Sequence, residues 1–393
     1  MIRVLKSALL AIVCIGISSC KDSPSQPAPT SDGVTVINID DGAVPLYDTL
    51  SVDNLIDNYK YVPLASIPGS MVMGGCPVKV ADRYLLVGGF LFRPDFKVFK
   101  ADGRYEGNAV VYGRGPNEIT RVDDFLVDYA RRELVVVETP KTLLYDFETQ
   151  KTKTVRSDIE VHRSGHLARL ESGDFVFLPF NDYTDEGEEV DAYRPALIFY
   201  DSLFRKSDTV FRYAPKHRSF MDEDFSPTLG KVLSTGANGI LYQDLAGDTV
   251  FRIGPDRELI PEFVIDIPNQ LKMTISDSET GSAEVKEHKV VIKHYEVSKD
   301  YICLSYHHDG VGRFGIWSKK TGQLLFRYVH PYDRHFLKVL LDGKVLEVPI
   351  GEFLPGSNSF VSSAPAAQMK HAIPSLKDDD NPVAIEITLK PAE

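Results

Sequence analysis

Apolar and polar positions change over in short runs along this chain. Residues 84–87 (YLLV), 133–138 (ELVVVE), 175–178 (FVFL), 196–200 (ALIFY) and 301–306 (YICLSY) are rich in β-branched and aromatic side chains and are bounded by Gly, Asp, Asn or Pro. Such runs predict strands. Helical periodicity is scarce: only residues 52–58, and residues 364–376 with Pro374 inside, carry it. The pattern predicts an all-β body with minor helices.

The strands repeat. An apolar-aromatic run, a polar turn and a second run recur from residues 98 (VFKADG), 144 (LYDFET), 199 (FYDSL), 250 (VFRIG) and 316 (IWSKKTG). The interval is about 55 residues, the size of a four-stranded propeller blade with its turns. A β-helix has a much shorter period, and a sandwich does not repeat. Residues 34–393 then form one β-propeller domain of six blades, with seven as the alternative count. Residues 34–39 (VTVINI) and 383–389 (VAIEITL) both read as strands. Ring closure removes exposed edges, so these N- and C-terminal strands are expected to share the closing blade.

Ahead of the body, residues 1–19 read as a signal peptide. Arg3 and Lys6 form its positive end, and an apolar stretch of about ten residues follows, too short to span a bilayer as a helix. It ends in Ile17-Ser18-Ser19-Cys20, which resembles a bacterial lipobox and predicts lipidation of Cys20. Residues 20–33, rich in Pro, Ser and Asp, read as the lipidated cysteine and a flexible tether. The expected location is the cell envelope, anchored by lipid to the outer membrane.

Composition then narrows the partners. The net charge of −12 becomes −14 once Arg3 and Lys6 leave with the leader. This excludes nucleic acid, whose phosphates need a basic footprint. The body keeps two cysteines, Cys76 and Cys303, too far apart in sequence for a disulfide framework and expected as buried thiols. The soluble body is expected to be a monomer.

Residues 113–119 (GRGPNEI) follow the first hairpin. With the Tyr61-Val62-Pro63-Leu64 segment and the acidic Asp378-Asp379-Asp380-Asn381-Pro382 run, they make the chain resemble six-bladed β-propeller lipoproteins of Bacteroidota, related in shape to NHL-type propellers. Asn117, Ile119 and Ala65 depart from that family's usual residues. The resemblance implies fold and location and supplies no activity. In residue terms the segment is a tight turn, in which Arg114 and Glu118 either pair across the turn or, with Asn117, face a ligand at the channel mouth.

Catalytic motifs are absent: no Gly-x-Ser-x-Gly, His-Glu-x-x-His, paired Cys-x-x-Cys, phosphate loop or Ca²⁺ loop occurs. His307 and Asp309 would share one face of a strand and are the nearest approach to a metal site, short of a third ligand. His162, His166, His288 and His294 read as loop or strand-end residues. Tyr183, Tyr193, Phe220, Tyr332 and Phe336 are expected in irregular stretches suited to ligand contact or to packing, with Arg218, Arg313 and Arg334 as partners for an anionic group. The expected function is a non-catalytic binding module for a peptide, glycan or envelope protein at the channel face, with no cofactor. Two alternatives stay open: a Ca²⁺- or Zn²⁺-dependent hydrolase or lyase at the channel, and a structural subunit of an outer-membrane complex.

Overall fold

A computed structural model describes residues 34–39, 49–72, 78–90, 93–159, 166–178, 193–213, 232–236, 239–243, 249–266, 290–308, 311–330, 336–349 and 351–392. The first three strands, β1 (Thr35–Asn38), β2 (Leu50–Ser51) and β3 (Ile56–Pro63), each complete a sheet formed further along the chain. Five consecutive antiparallel sheets follow. They are β4 (Val78–Ala81) to β7 (Tyr105–Tyr112) through β5 (Tyr84–Phe90) and β6 (Arg93–Lys100), with a short parallel β8 (Glu118–Ile119); then β9 (Asp124–Asp128), β10 (Glu133–Glu138), β11 (Lys141–Asp146) and β12 (Lys151–Arg156). The third holds β13 (His166–Arg169), β14 (Phe175–Leu178), β15 (Tyr193–Tyr200) and β16 (Lys206–Tyr213). The fourth holds β17 (Val232–Gly236), β18 (Gly239–Gln243), β19 (Thr249–Ile253) and β20 (Leu259–Asp266). The fifth holds β21 (Val290–Val297), β22 (Tyr301–His308), β23 (Val311–Ser318) and β24 (Leu324–His330). Last come the hairpin β25 (Phe336–Leu341) and β26 (Lys344–Pro349), joined by β2, and a sheet of β27 (Ser359–Ala364), β28 (Val383–Leu389) and β3.

The middle strands show why this fold suits this sequence. Along β10, Leu134 and Val136 enter the core shared with the first sheet, while Val135 and Val137 enter the core shared with the third. Along β22, Tyr301 and Cys303 face one core, and Ile302, Leu304 and Tyr306 face the other. A strand covered on both faces needs a continuous apolar run, whereas β12, on the outer edge, alternates exposed and half-buried residues (KTKTVR). Successive sheets therefore stack face to face, and each gap between neighbours is an apolar wall. One wall joins β3, β27 and β28 to the first sheet through Val62, Leu64, Val361 and Ala384 against Val78, Leu85, Val87 and Phe99. This is the architecture of a β-propeller.

The repeated turns are one structural feature. All five fall between the third and fourth strands of their sheets: β6–β7, β11–β12, β15–β16, β19–β20 and β23–β24. Asp side chains shape three of them: Asp102 accepts from the Arg104 amide, Asp146 from Glu148 and Thr149, and Asp201 from Leu203 and Arg205. In the first turn Gly103 has φ +85°, and a Cβ there would run into the Pro63 carbonyl. Glycine lets this turn lie against the end of β3, where Ala65 donates to the Gly103 carbonyl at 2.9 Å.

Three expectations need correction. β1 does not join the C-terminal strand; it pairs in parallel with β20, Thr35 opposite Phe263 and Asn38 opposite Asp266. Its apolar residues Ile37 and Ile39 fill the wall between the fourth and fifth sheets, and Trp317 Nε1 donates to the Asn38 carbonyl at 3.0 Å. The N-terminal strand that meets β28 is β3, with Ile385 opposite Tyr61. Second, residues 52–58 are not helical. Asn54 Oδ1 accepts from the amides of Ser51 and Leu55, fixing a turn that leads into β3, and such side-chain bonds compete with a helix. Third, the 364–376 segment condenses to one short helix, α1 (Ala366–Met369), followed by turns. Cys303 is a free, buried thiol, and Cys76 lies outside the described residues.

The run before β28 locks this junction. Asn381 is buried; its Nδ2 donates to the carbonyls of Ala65 and Ser70, its Oδ1 accepts from the Val72 amide, and its own amide donates to Ser66 Oγ. One side chain thus fastens the last strand to the loop after β3. Of the three aspartates before it, Asp378 and Asp379 are exposed and Asp380 is half-buried, and Asp378 pairs with Lys370 at 2.6 Å.

Candidate functional site

Each of the first five sheets presents its first strand at one edge: β4, β9, β13, β17 and β21. These inner-edge strands are neighbours of one another, β4 of β9 and β27, and β13 of β9 and β17, with β17 beside β21. They surround a common centre. Ionisable residues sit at matching places on them. Lys79 is second in β4, Asp124 first in β9, and His166 first in β13. His294 and Glu296 are two apart on β21 and so share a face. A register irregularity in the β21–β22 ladder between Ile292 and His294 comes just before the pair, the kind of bulge that re-aims a side chain. Glu352 arrives from the segment that leads to β27.

These groups are tied together. Lys79 Nζ pairs with Glu352 Oε1, and its ammonium lies over the Phe125 ring, 5.1 Å from the centroid. His294 Nε2 and Glu296 Oε1 are 2.8 Å apart. Asp124 accepts the amide of Phe125 at 2.8 Å through one oxygen and the amide of Leu167 through the other, which bolts the second sheet to the third.

Electrostatics confirms the grouping, because each of these residues feels the others. Burial pushes Asp124 up to about 7, against its two amide bonds and the Lys79 charge, with Glu352 adding to the rise. Burial pushes His166 down, aided by His294 and Lys79. For His294, burial works downward, but the bond to Glu296 and the charges of Glu296 and Glu352 prevail, and the net shift is upward. Burial raises Glu296, and His294 offsets only part of that. The His294–Glu296 pair therefore titrates as a pair rather than as two independent groups. Both histidines keep water-accessible surface; loss of bulk solvent sets the direction at His166, whereas at His294 the carboxylates outweigh it.

Sequence reasoning passes over this centre. It weighs His166 as a loop residue, where the structure has it opening β13, and His294 as a strand end, and does not single out Lys79, Asp124, Glu296 or Glu352. The available signal is an ionisable residue at the first or second position of the first strand in three successive repeats. The Gly113–Ile119 segment lies elsewhere, after the outer strand β7 of the first sheet. Glu118 does not pair with Arg114. It turns back and accepts the Gly115 amide at 2.7 Å, and its carboxylate fills the space a Cβ on Gly113 or Gly115 would take. Both glycines are required by that side chain rather than by positive φ. Arg114 and Asn117 are exposed, and Thr154 Oγ1 donates to the Pro116 carbonyl and Asn117 Oδ1, at 2.5 and 3.0 Å. His307 pairs through its backbone with Val291 and Gly312. Tyr193 and Phe336 are not in irregular stretches but open β15 and β25, because each pairs with a neighbouring strand, and Arg313 lies within β23. Asp309, His162, His288, Tyr183, Arg218, Phe220, Tyr332 and Arg334 lie outside the described residues. Among the described residues, no group of three or more His, Cys, Asp or Glu is arranged to hold a metal ion, and no helix is long and apolar enough to cross a membrane.

The model of a family described as a domain of unknown function, DUF4934, matches residues 34–388. No curated protein is significantly similar to the chain. Among solved structures, a Bacteroides fragilis NCTC 9343 protein whose name marks it as exported aligns with a TM-score of 0.63 at 16% identity, covering 91% of this chain and 100% of that one. Streptogramin B lyase aligns at 0.41 with 9% identity, covering 84% and 98%. BamB from Moraxella catarrhalis aligns at 0.39 with 8% identity, covering 84% and 100%. The first likeness is one of fold.

Proposed function

The chain belongs to the DUF4934 family, and we propose that it is an exported, lipid-anchored propeller of six blades that binds a ligand at the centre of its inner strands without transforming it. The observation that carries this reading is the centre itself. Lys79, Asp124, His166, His294, Glu296 and Glu352 come from five separate parts of the fold and converge; Lys79 pairs with Glu352 and His294 with Glu296, and Asp124 and His166 feel their charges. Such a mutually paired set resembles a recognition surface more than a nucleophile with a base aligned behind it. Five sheets of four or more strands, followed by the β2–β25–β26 and β3–β27–β28 sheets that share one core, support the six-blade count, and the wall between β28 and the first sheet supports closure. The lipobox-like Cys20 supports anchoring to the envelope, and the exported Bacteroides fragilis protein of the same fold supports export. The ligand classes in view are a peptide, a glycan or an envelope protein.

Thermal melting of the purified protein against short peptides, polysaccharide fragments, Ca²⁺, Zn²⁺ and EDTA tests the binding reading. Stabilisation of several degrees by one organic class is expected. Destabilisation by EDTA would replace this reading with a metal-dependent one. Anchoring is tested by fractionating cells that express Cys20→Ala: the variant should leave the membrane fraction.

A further inference from the structure

We propose that the centre takes an alkylammonium group, a cationic hydrogen-bond donor, and holds it between Glu296, Glu352 and Asp124; this deepens the binding reading above and rests on it. Glu296 is the anchor of the argument. Its side chain is only 4% exposed; Oε1 is engaged by His294, while Oε2 is buried and has no hydrogen-bond partner. A buried acceptor without a donor carries a desolvation cost, and a ligand N–H removes it.

The rest of the centre favours a cation. Three carboxylates converge there, and the cationic groups beside them are committed, Lys79 to Glu352 and His294 to Glu296. An incoming anion would have to displace one of those partners while facing the remaining acids. An ammonium group instead finds acceptors whose positions are already fixed: Asp124 is immobilised by two backbone amides, and Glu352 by Lys79. The Phe125 ring adjoining the centre already carries one ammonium, that of Lys79, and a ring face stabilises cations. The chain's net charge of −12 draws cations toward it.

Isothermal titration of the purified full-length protein at neutral pH tests the assignment, with N-acetyl-lysine amide, putrescine, sodium acetate and methyl glucoside as probes. Saturable heat from the two amines and none from acetate or the glucoside is expected. The stronger amine tells whether a lysine side chain or a polyamine is the better source of the group. Glu296→Gln should weaken the amines about tenfold or more. Should Glu296→Gln fail to fold by circular dichroism, Glu352→Gln carries the same expectation from a half-buried position. Binding of acetate or the glucoside in preference to the amines would overturn the assignment and leave the binding reading standing. Absence of amine binding to the unaltered protein, or amine affinity unchanged in both folded variants, would also overturn it. The melting panel reports on the broader binding reading separately.

Discussion

In β10, Leu134 to Val137 are all buried, two side chains to each wall; in β4, Lys79 sits between the buried Val78 and Ala81 and reaches a partner on another sheet. The walls and the centre are built from the same repeating strands, yet they obey different rules. A wall is stabilised in proportion to the apolar area it removes from water, so any residue of suitable size and shape serves. In the centre each polar atom needs a specific partner, so identity matters more than volume. Substitutions in the walls should cost stability, and substitutions in the centre should change titration and binding.

The largest expected effect is loss of a wall element. Removing residues 383–393 takes out β28, the middle strand between β27 and β3, together with the buried Ile385 and Ile387. The cooperative melting transition should disappear; an unchanged melting temperature would refute the role given to this strand. Next is Trp317→Ala. The indole is fully buried in the wall between the fourth and fifth sheets and holds β1 through the Asn38 carbonyl. A loss of about 3–5 kcal/mol in chemical denaturation is expected.

Smaller effects separate local fit from bulk burial. Gly113→Ala drives a Cβ into the Glu118 carboxylate and should cost about 1–3 kcal/mol. Glu118→Ala alone should cost about 1 kcal/mol by leaving the Gly115 amide without its acceptor. Because the clash needs both side chains, the double variant should lose less than the sum of the two, measured as a double-mutant cycle. Additive losses would mean that Glu118 is not what excludes a Cβ.

The effect that belongs to the centre depends on pH and is absent at the acid end of the range. Asp124 titrates near 7 when folded, against an ordinary carboxylate value of 3.8. The folded state therefore holds a proton there that the unfolded chain has released, and stability from this group is full at pH below that ordinary value and is lost as pH rises through about 7. Asp124→Asn removes the dependence. The stability of the unaltered protein relative to this variant should fall by up to about 4 kcal/mol across that window. A constant difference would show that Asp124 is not shifted by burial.

The sequence by itself determined the strands, their repeat and the all-β architecture. Runs such as ELVVVE and FVFL are legible because a strand with two covered faces must be apolar throughout, and the recurring turns are legible because Asp and Gly shape them locally. Residues 113–119 were legible as a turn, though not the reason for their glycines, which lies in where the Glu118 side chain folds back. The partner of each terminal strand was decided only in three dimensions. β1 and β28 look alike as sequences, and edge complementarity sends one to β20 and the other to β3. The candidate site was decided there too. Lys79 and Glu352 are 273 residues apart, and Asp124 is fixed by the amide of Leu167, 43 residues away. No local pattern encodes such contacts, because stacking the sheets is what brings their first strands, and the charges on them, to one place.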